Sequence, residues 1–157
     1  MTSTAEHEQW MRRALALADR AGNEGEVPIG AVIVKDGQLL GEGWNSVIAF
    51  KDPTAHAEVV AMRDAAQMTG NYRLPGATVY VTLEPCSHEG KTGPCADALI
   101  AAGIARVVIA CEDPNPEVAG AGIKKLQDAG IEVELGLLED QARDINKGFI
   151  KRHEHGT

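Results

Sequence analysis

Apolar and polar positions recur along the chain with two different periods, and the changes between them mark the elements. Over 8–19, Trp10, Met11, Ala14, Leu15, Leu17 and Ala18 return at helical spacing, which predicts an amphipathic helix. The run AGNEGEVP breaks it. IGAVIVKDGQLLGEGW then reads as two strands joined at Asp36–Gly37, a dipeptide suited to a tight hairpin turn. SVIAFKDPT is a loop, and Thr54 is placed to cap a helix over 55–68. GATVYVTL is an apolar, β-branched strand that stops at Glu84–Pro85. Pro94 suits the first position of a helix through CADALIAAG, with Gly103 as its stop. ARVVIA reads as a buried strand, VAGAGIKKLQDAG as a short helix, IEVEL as an edge strand and LEDQARDINKGFIKR as a last helix.

A hairpin followed by strand–helix–strand–helix–strand argues for an α/β fold with helices on both faces of the sheet. The expected architecture is a three-layer α-β-α sandwich around a five-stranded mixed sheet. The 157 residues suit one domain, 1–157, without repeat or linker.

Charge narrows the partners. A formal net charge of −8 favours solubility and gives no general hold on a polyanion, although Arg12, Arg13, Lys147, Lys151 and Arg152 could gather into a local patch. No apolar run approaches the length of a membrane span, so no membrane partner is expected. The start, MTSTAEHEQW, is polar and acidic, unlike a secretory signal, and a cytoplasmic location is the expectation. In a reducing compartment, neighbouring cysteines are more often metal ligands or catalytic groups than a disulfide.

That prior bears on TLEPCSHEGKTGPC, which holds Cys86 and Cys95. Upstream, His56-Ala57-Glu58 opens a predicted helix. Imidazole and two thiolates form a ligand set for zinc, and three protein ligands leave the open fourth position of a catalytic site. His56, Cys86 and Cys95 would hold one ion, and Glu58 would stand beside it as a proton shuttle that is not a ligand. Cys86 follows a strand end and Cys95 opens a helix, where thiolate is favoured. His56 and Glu58 are two residues apart, and near a helix start both reach one point beyond its end. Singly, each residue also reads as a buried thiol or a surface histidine. Together they match the H-x-E…P-C-x-x-C signature of zinc deaminases, except that eight residues separate the cysteines. The third cysteine, Cys111, ends a buried strand and reads as a small hydrophobe.

The segment from Thr82 onward, TLEPCSHEGKTGPCADALIAAGIARVVIACEDPNPEVAGAGIKKLQDAGIEV, closely resembles the deaminase domain of the bifunctional riboflavin biosynthesis enzyme; Gly93 stands where that family has proline. The likeness runs on through LLEDQARDINKGFIKR. The first half, with EGEVPIGAVIVKDGQLLGEGWN, DPTAHAEVVAMR and NYRLPGATVYVTLEPC, is similar to bacterial tRNA adenosine deaminases. Both resemblances imply the cytidine deaminase-like fold, one zinc per chain on His56, Cys86 and Cys95, Glu58 as the catalytic proton shuttle, and hydrolytic loss of an exocyclic amine as ammonia. Both also imply a homodimer.

The resemblances divide over substrate. The riboflavin side implies the diaminohydroxyphosphoribosylaminopyrimidine of that pathway, with reduction left to another protein because the chain ends where a reductase domain would begin. On that side His88, Lys91 and Thr92 of the insert, and Asp113 and Asn115 of DPNP, would meet a phosphorylated or ribosylated small molecule beyond the strand ends; as plain structure they read as a solvated loop and an Asx–Pro turn. The glycines of VAGAGI could offer backbone N–H groups to its phosphate. The adenosine side implies an RNA substrate, with Asn45 at a base-contacting position; Ala57 joins the substrate-binding set. A basic C-terminal helix for RNA is expected there, whereas FIKRHEHGT is only mildly basic. A free nucleobase or nucleoside is the third substrate class. From a different class, a non-catalytic zinc module would arise if His88 closed the site as a fourth ligand.

Overall fold

The structure, a computed structural model, describes residues 4–85, 95–113 and 119–155, with 149–155 described by backbone alone. In order the elements are α1 (Thr4–Asn23), β1 (Gly30–Lys35), β2 (Gln38–Trp44), α2 (Ala57–Thr69), β3 (Thr78–Leu83), α3 (Cys95–Ala102), β4 (Arg106–Cys111), α4 (Ala121–Asp128), β5 (Glu132–Leu135) and α5 (Glu139–His155). One five-stranded sheet has the order β2-β1-β3-β4-β5. β1 pairs antiparallel with β2 and β3, while β3–β4 and β4–β5 are parallel, so the sheet is mixed as the alternation predicts.

Strand residues alternate between two cores. Ala31, Ile33, Val79, Val81, Val107 and Ile109 point to one face, where Ala57, Ala61 and Ala65 of α2, Leu99 of α3 and Leu126 of α4 cover them. Val32, Val34, Tyr80, Val108 and Ala110 point to the other, against Met11, Ala14 and Leu15 of α1 and Ala142 of α5. That is the three-layer sandwich. Among the described residues, no helix is long and apolar enough to cross a membrane.

Local chemistry explains the details. Asp36 and Gly37 both take positive φ, 52° and 76°, as the two-residue hairpin turn requires. Thr54 does not cap α2. Its N–H and its hydroxyl both donate to Asp52 Oδ1, at 2.9 and 2.6 Å, in an Asx-type turn. Those two bonds, with Arg63 on the other oxygen, hold the Asp52 carboxyl down at about 2. The helix therefore starts two residues later than expected, and His56 takes the N-cap position with extended backbone.

Glycine sets the distance between α2 and the sheet. A Cβ on Gly41 would lie 2.5 Å from Ala65 N, and one on Gly43 would lie 2.7 Å from Ala61 N and 2.8 Å from Ala57 O. Gly41→Ala is therefore expected to destabilise the protein by about 1–3 kcal/mol through overpacking. Gly148→Ala, in the exposed middle of α5 with nothing near the added methyl, should instead stabilise by up to about 1 kcal/mol. Urea denaturation of the two variants checks both signs, and equal midpoints would contradict the close approach.

Cys111 is a core residue, with its thiol donating to Thr82 O at 3.3 Å. Burial pushes this thiol up to about 11. A raised value keeps it neutral and unreactive at ordinary pH. At pH 8 a disulfide reagent should leave Cys111 unmodified in the native protein and label it in denaturant, as peptide mapping by mass spectrometry would show.

Candidate active site

The register brings four chain ends to one rim of the sheet. Gly30 pairs with Trp44, so β1 begins where β2 ends; Leu83 pairs with Cys111, so β3 and β4 end together. Parallel strands collect ligands beyond their carboxyl ends. The residues that follow these ends, or that open the helices beside them, are those the sequence singles out.

Asn45 is the residue after β2 and is buried. Its Oδ1 accepts the Ala57 backbone N–H at 2.9 Å. This satisfies a first-turn N–H of α2. It also fixes the amide: the oxygen faces Ala57, leaving the NH₂ as the other end. Ala57 is itself fully buried, and its N–H is committed to Asn45.

His56 Nδ1 lies 2.9 Å from Cys95 Sγ, which links the start of α2 to the start of α3 across 39 positions of sequence. Glu58, in the first turn of α2, is buried, and the ligand atoms of His56, Glu58 and Cys95 all lie within 4.8 Å of one another. An imidazole and a buried thiol are ligand types that suit a zinc ion, and they lie close enough together to share one. The carboxylate stands close enough to act on whatever the ion holds. The donor set fits the metal.

The other predicted residues divide. Asp113 is half-buried beyond the end of β4, and its N–H donates to Glu84 Oε1 at 3.1 Å. Cys86, His88, Lys91, Thr92 and Asn115, like Pro94, which was expected to open a helix, lie outside the described residues.

Two buried carboxylates at this rim were given no role by the sequence. Glu26 accepts the N–H groups of Ile48 and Ala49 at 2.9 to 3.1 Å, holding the loop that joins Asn45 to His56. The neck of that loop is closed by Ser46 N–H on Ala55 O at 2.9 Å. Glu84 accepts N–H groups from Asp113, Gly120, Gly122 and Ile123. The backbone donors of VAGAGI expected to meet a phosphate are therefore satisfied by an internal anion, which corrects that expectation. A lone acidic residue at the end of an otherwise apolar strand, before proline, was the available signal for Glu84.

The chain is similar to known proteins over nearly all its length. It is 50% identical over 151 residues to the riboflavin biosynthesis protein RibD of Escherichia coli, covering 95% of this chain and 39% of that one. A solved structure from Thermotoga maritima, described as a diaminohydroxyphosphoribosylaminopyrimidine deaminase/5-amino-6-(5-phosphoribosylamino)uracil reductase, is 41% identical with a TM-score of 0.80, covering 95% of this chain and 41% of that chain. A solved tRNA:A34 deaminase, described in work on A-to-I editing at the wobble position of transfer RNA, is 37% identical with a TM-score of 0.75, covering 87% of this chain and 98% of that one. This chain thus spans less than half the length of its riboflavin-pathway relatives. Residues 4–111 match the cytidine and deoxycytidylate deaminase zinc-binding region. With the cytidine deaminase-like sheet and the His56–Glu58–Cys95 cluster already in place, the chain belongs to this family of zinc-dependent deaminases.

Proposed function

We propose that this chain removes the exocyclic amine of diaminohydroxyphosphoribosylaminopyrimidine by hydrolysis, consuming one water and releasing ammonia. The observation that carries the substrate assignment is the high identity to riboflavin-pathway proteins across almost the whole chain, above that to the tRNA deaminase.

In this reading His56, Cys86 and Cys95 hold one zinc. When bound, zinc supplies a Lewis acid and a water whose pKa falls towards neutrality. The chain's own residues do the rest. The Glu58 carboxylate, buried beside His56 and Cys95, takes the proton of the attacking water. It passes protons on to the ring nitrogen and to the departing amine. Asn45, its oxygen occupied by Ala57, turns its NH₂ to an acceptor on the ring. Asp113 and Asn115 from beyond β4, with His88, Lys91 and Thr92 from the insert, meet the ribosyl phosphate. A homodimer as the working unit belongs to the same proposal.

A second reading, deamination of adenosine in RNA, is favoured by the near-complete coverage of the tRNA deaminase and by Asn45. Opposing it is a net charge of −8, since phosphate contacts dominate RNA affinity.

Ammonia release by zinc-loaded protein tests these readings side by side. The substrates are the phosphorylated pyrimidine, an anticodon stem-loop carrying adenosine, and a panel of free bases and nucleosides. Turnover of the pyrimidine is expected, and Glu58→Gln should keep its zinc while losing about 10²–10⁴-fold in rate. Turnover of the stem-loop alone, or of free bases alone, would overturn the substrate assignment. A Glu58→Gln variant at near-normal rate would overturn the role given to the carboxylate.

A further inference from the structure

Glu84 ends β3's run into Pro85 and is 6% exposed. A buried carboxylate is costly unless its charge is met. Its hydrogen-bond partners among the described residues are all backbone N–H groups. Oε1 accepts from Asp113 at 3.1 Å and Gly120 at 2.9 Å. Oε2 accepts from Gly122 at 2.8 Å and Ile123 at 3.2 Å. Four charge-assisted bonds and the positive end of α4 together balance the anion.

The arrangement does more than cap a helix. One oxygen atom binds residues on either side of the 113–120 segment, so both ends of that segment are tied to a single point. The start of α4 is pressed against the same strand end: a Cβ on Gly122 would fall 2.0 Å from Pro85 O. None of the four donors belongs to α2 or α3, which carry His56, Glu58 and Cys95. The strand end itself is held separately, by the Glu84 backbone N–H on Cys111 O at 2.9 Å. A side-chain substitution leaves that bond in place.

We propose that Glu84 is a positioning residue for substrate: its carboxylate holds Asp113, at the end of β4, against the start of α4, without acting on the metal or on the proton shuttle. This rests on the reading of Asp113 as a substrate contact. Removing the carboxylate releases Asp113 and leaves the reacting groups where they were, so the loss falls on KM and spares kcat.

The test uses zinc-loaded Glu84→Ala and Glu84→Gln. Glutamine keeps the size and one acceptor oxygen, and it carries the test if the alanine variant does not fold. KM for the phosphorylated pyrimidine should rise roughly tenfold or more, the scale expected for a misplaced binding group, with kcat and zinc content close to native. Added formate should restore KM in Glu84→Ala by refilling the anion position. Amide hydrogen exchange at Asp113, Gly120, Gly122 and Ile123 should quicken in both variants. A fall in kcat at unchanged KM, or loss of zinc, would overturn the proposal, because a general loss of stability or a disturbed metal site gives that pattern. If the native protein does not turn over the pyrimidine, the substrate assignment fails by itself. The exchange measurement then decides alone: unchanged protection at Asp113 and Gly120 overturns the positioning role, and quickened exchange upholds it.

Discussion

The site depends on how closely α2 lies on the sheet. Side chains normally hold a helix and a sheet apart, but here Gly41 and Gly43 of β2 face Ala57, Ala61 and Ala65 of α2, and backbone nearly meets backbone. That contact places the first turn of α2 within reach of the residue after β2. Asn45 can then hold the Ala57 N–H, and His56 and Glu58 are delivered to the rim where β3 and β4 end. Cys95 arrives at the start of α3, the helix joining β3 to β4. A larger residue at either glycine would lift α2 and separate a histidine and a thiol that now lie 2.9 Å apart.

Around this fixed centre the loops are held by charge. Glu26 and Glu84 are buried carboxylates that, among the described residues, accept backbone N–H groups of neighbouring loops. Glu26 fastens the loop between Asn45 and His56. Glu84 ties Asp113, after β4, to the start of α4. In a water-poor setting such bonds are strong and directional, so they fix loop shape in a way that packing of small apolar side chains cannot. The molecule thus combines a rigid scaffold of alanine and glycine with loops clamped by internal anions, as a site needs when its groups come from four separate segments.

The fold was legible because its signals are local. The Asp36–Gly37 turn, the β-branched runs of β1, β3 and β4 and the glycine after α3 each announce themselves within a few residues. The metal-site candidates were legible for another reason: histidine, glutamate and cysteine at strand and helix ends have few other joint uses. What escaped the sequence has two causes. One is local competition: Asp52, two residues before Thr54, takes the hydroxyl that would have capped α2, so the start of the helix moved to His56. The other is long-range. Nothing near the glycines of VAGAGI shows that their N–H groups will be taken by a carboxylate 36 to 39 positions upstream. These donors were expected to meet a substrate phosphate, and the anion they hold is part of the chain.

The family relationship, the His56–Cys95 contact and the buried Glu58 support one proposal above the others: that the zinc this family binds would have three protein ligands here and an open position for chemistry. X-ray absorption at the zinc edge of the purified protein tests it most directly. The account predicts two sulfur ligands at about 2.3 Å, a single imidazole nitrogen near 2.0 Å and one further light atom from solvent. A second imidazole in place of the solvent atom, as His88 would supply, would mean a closed structural site and would contradict the account.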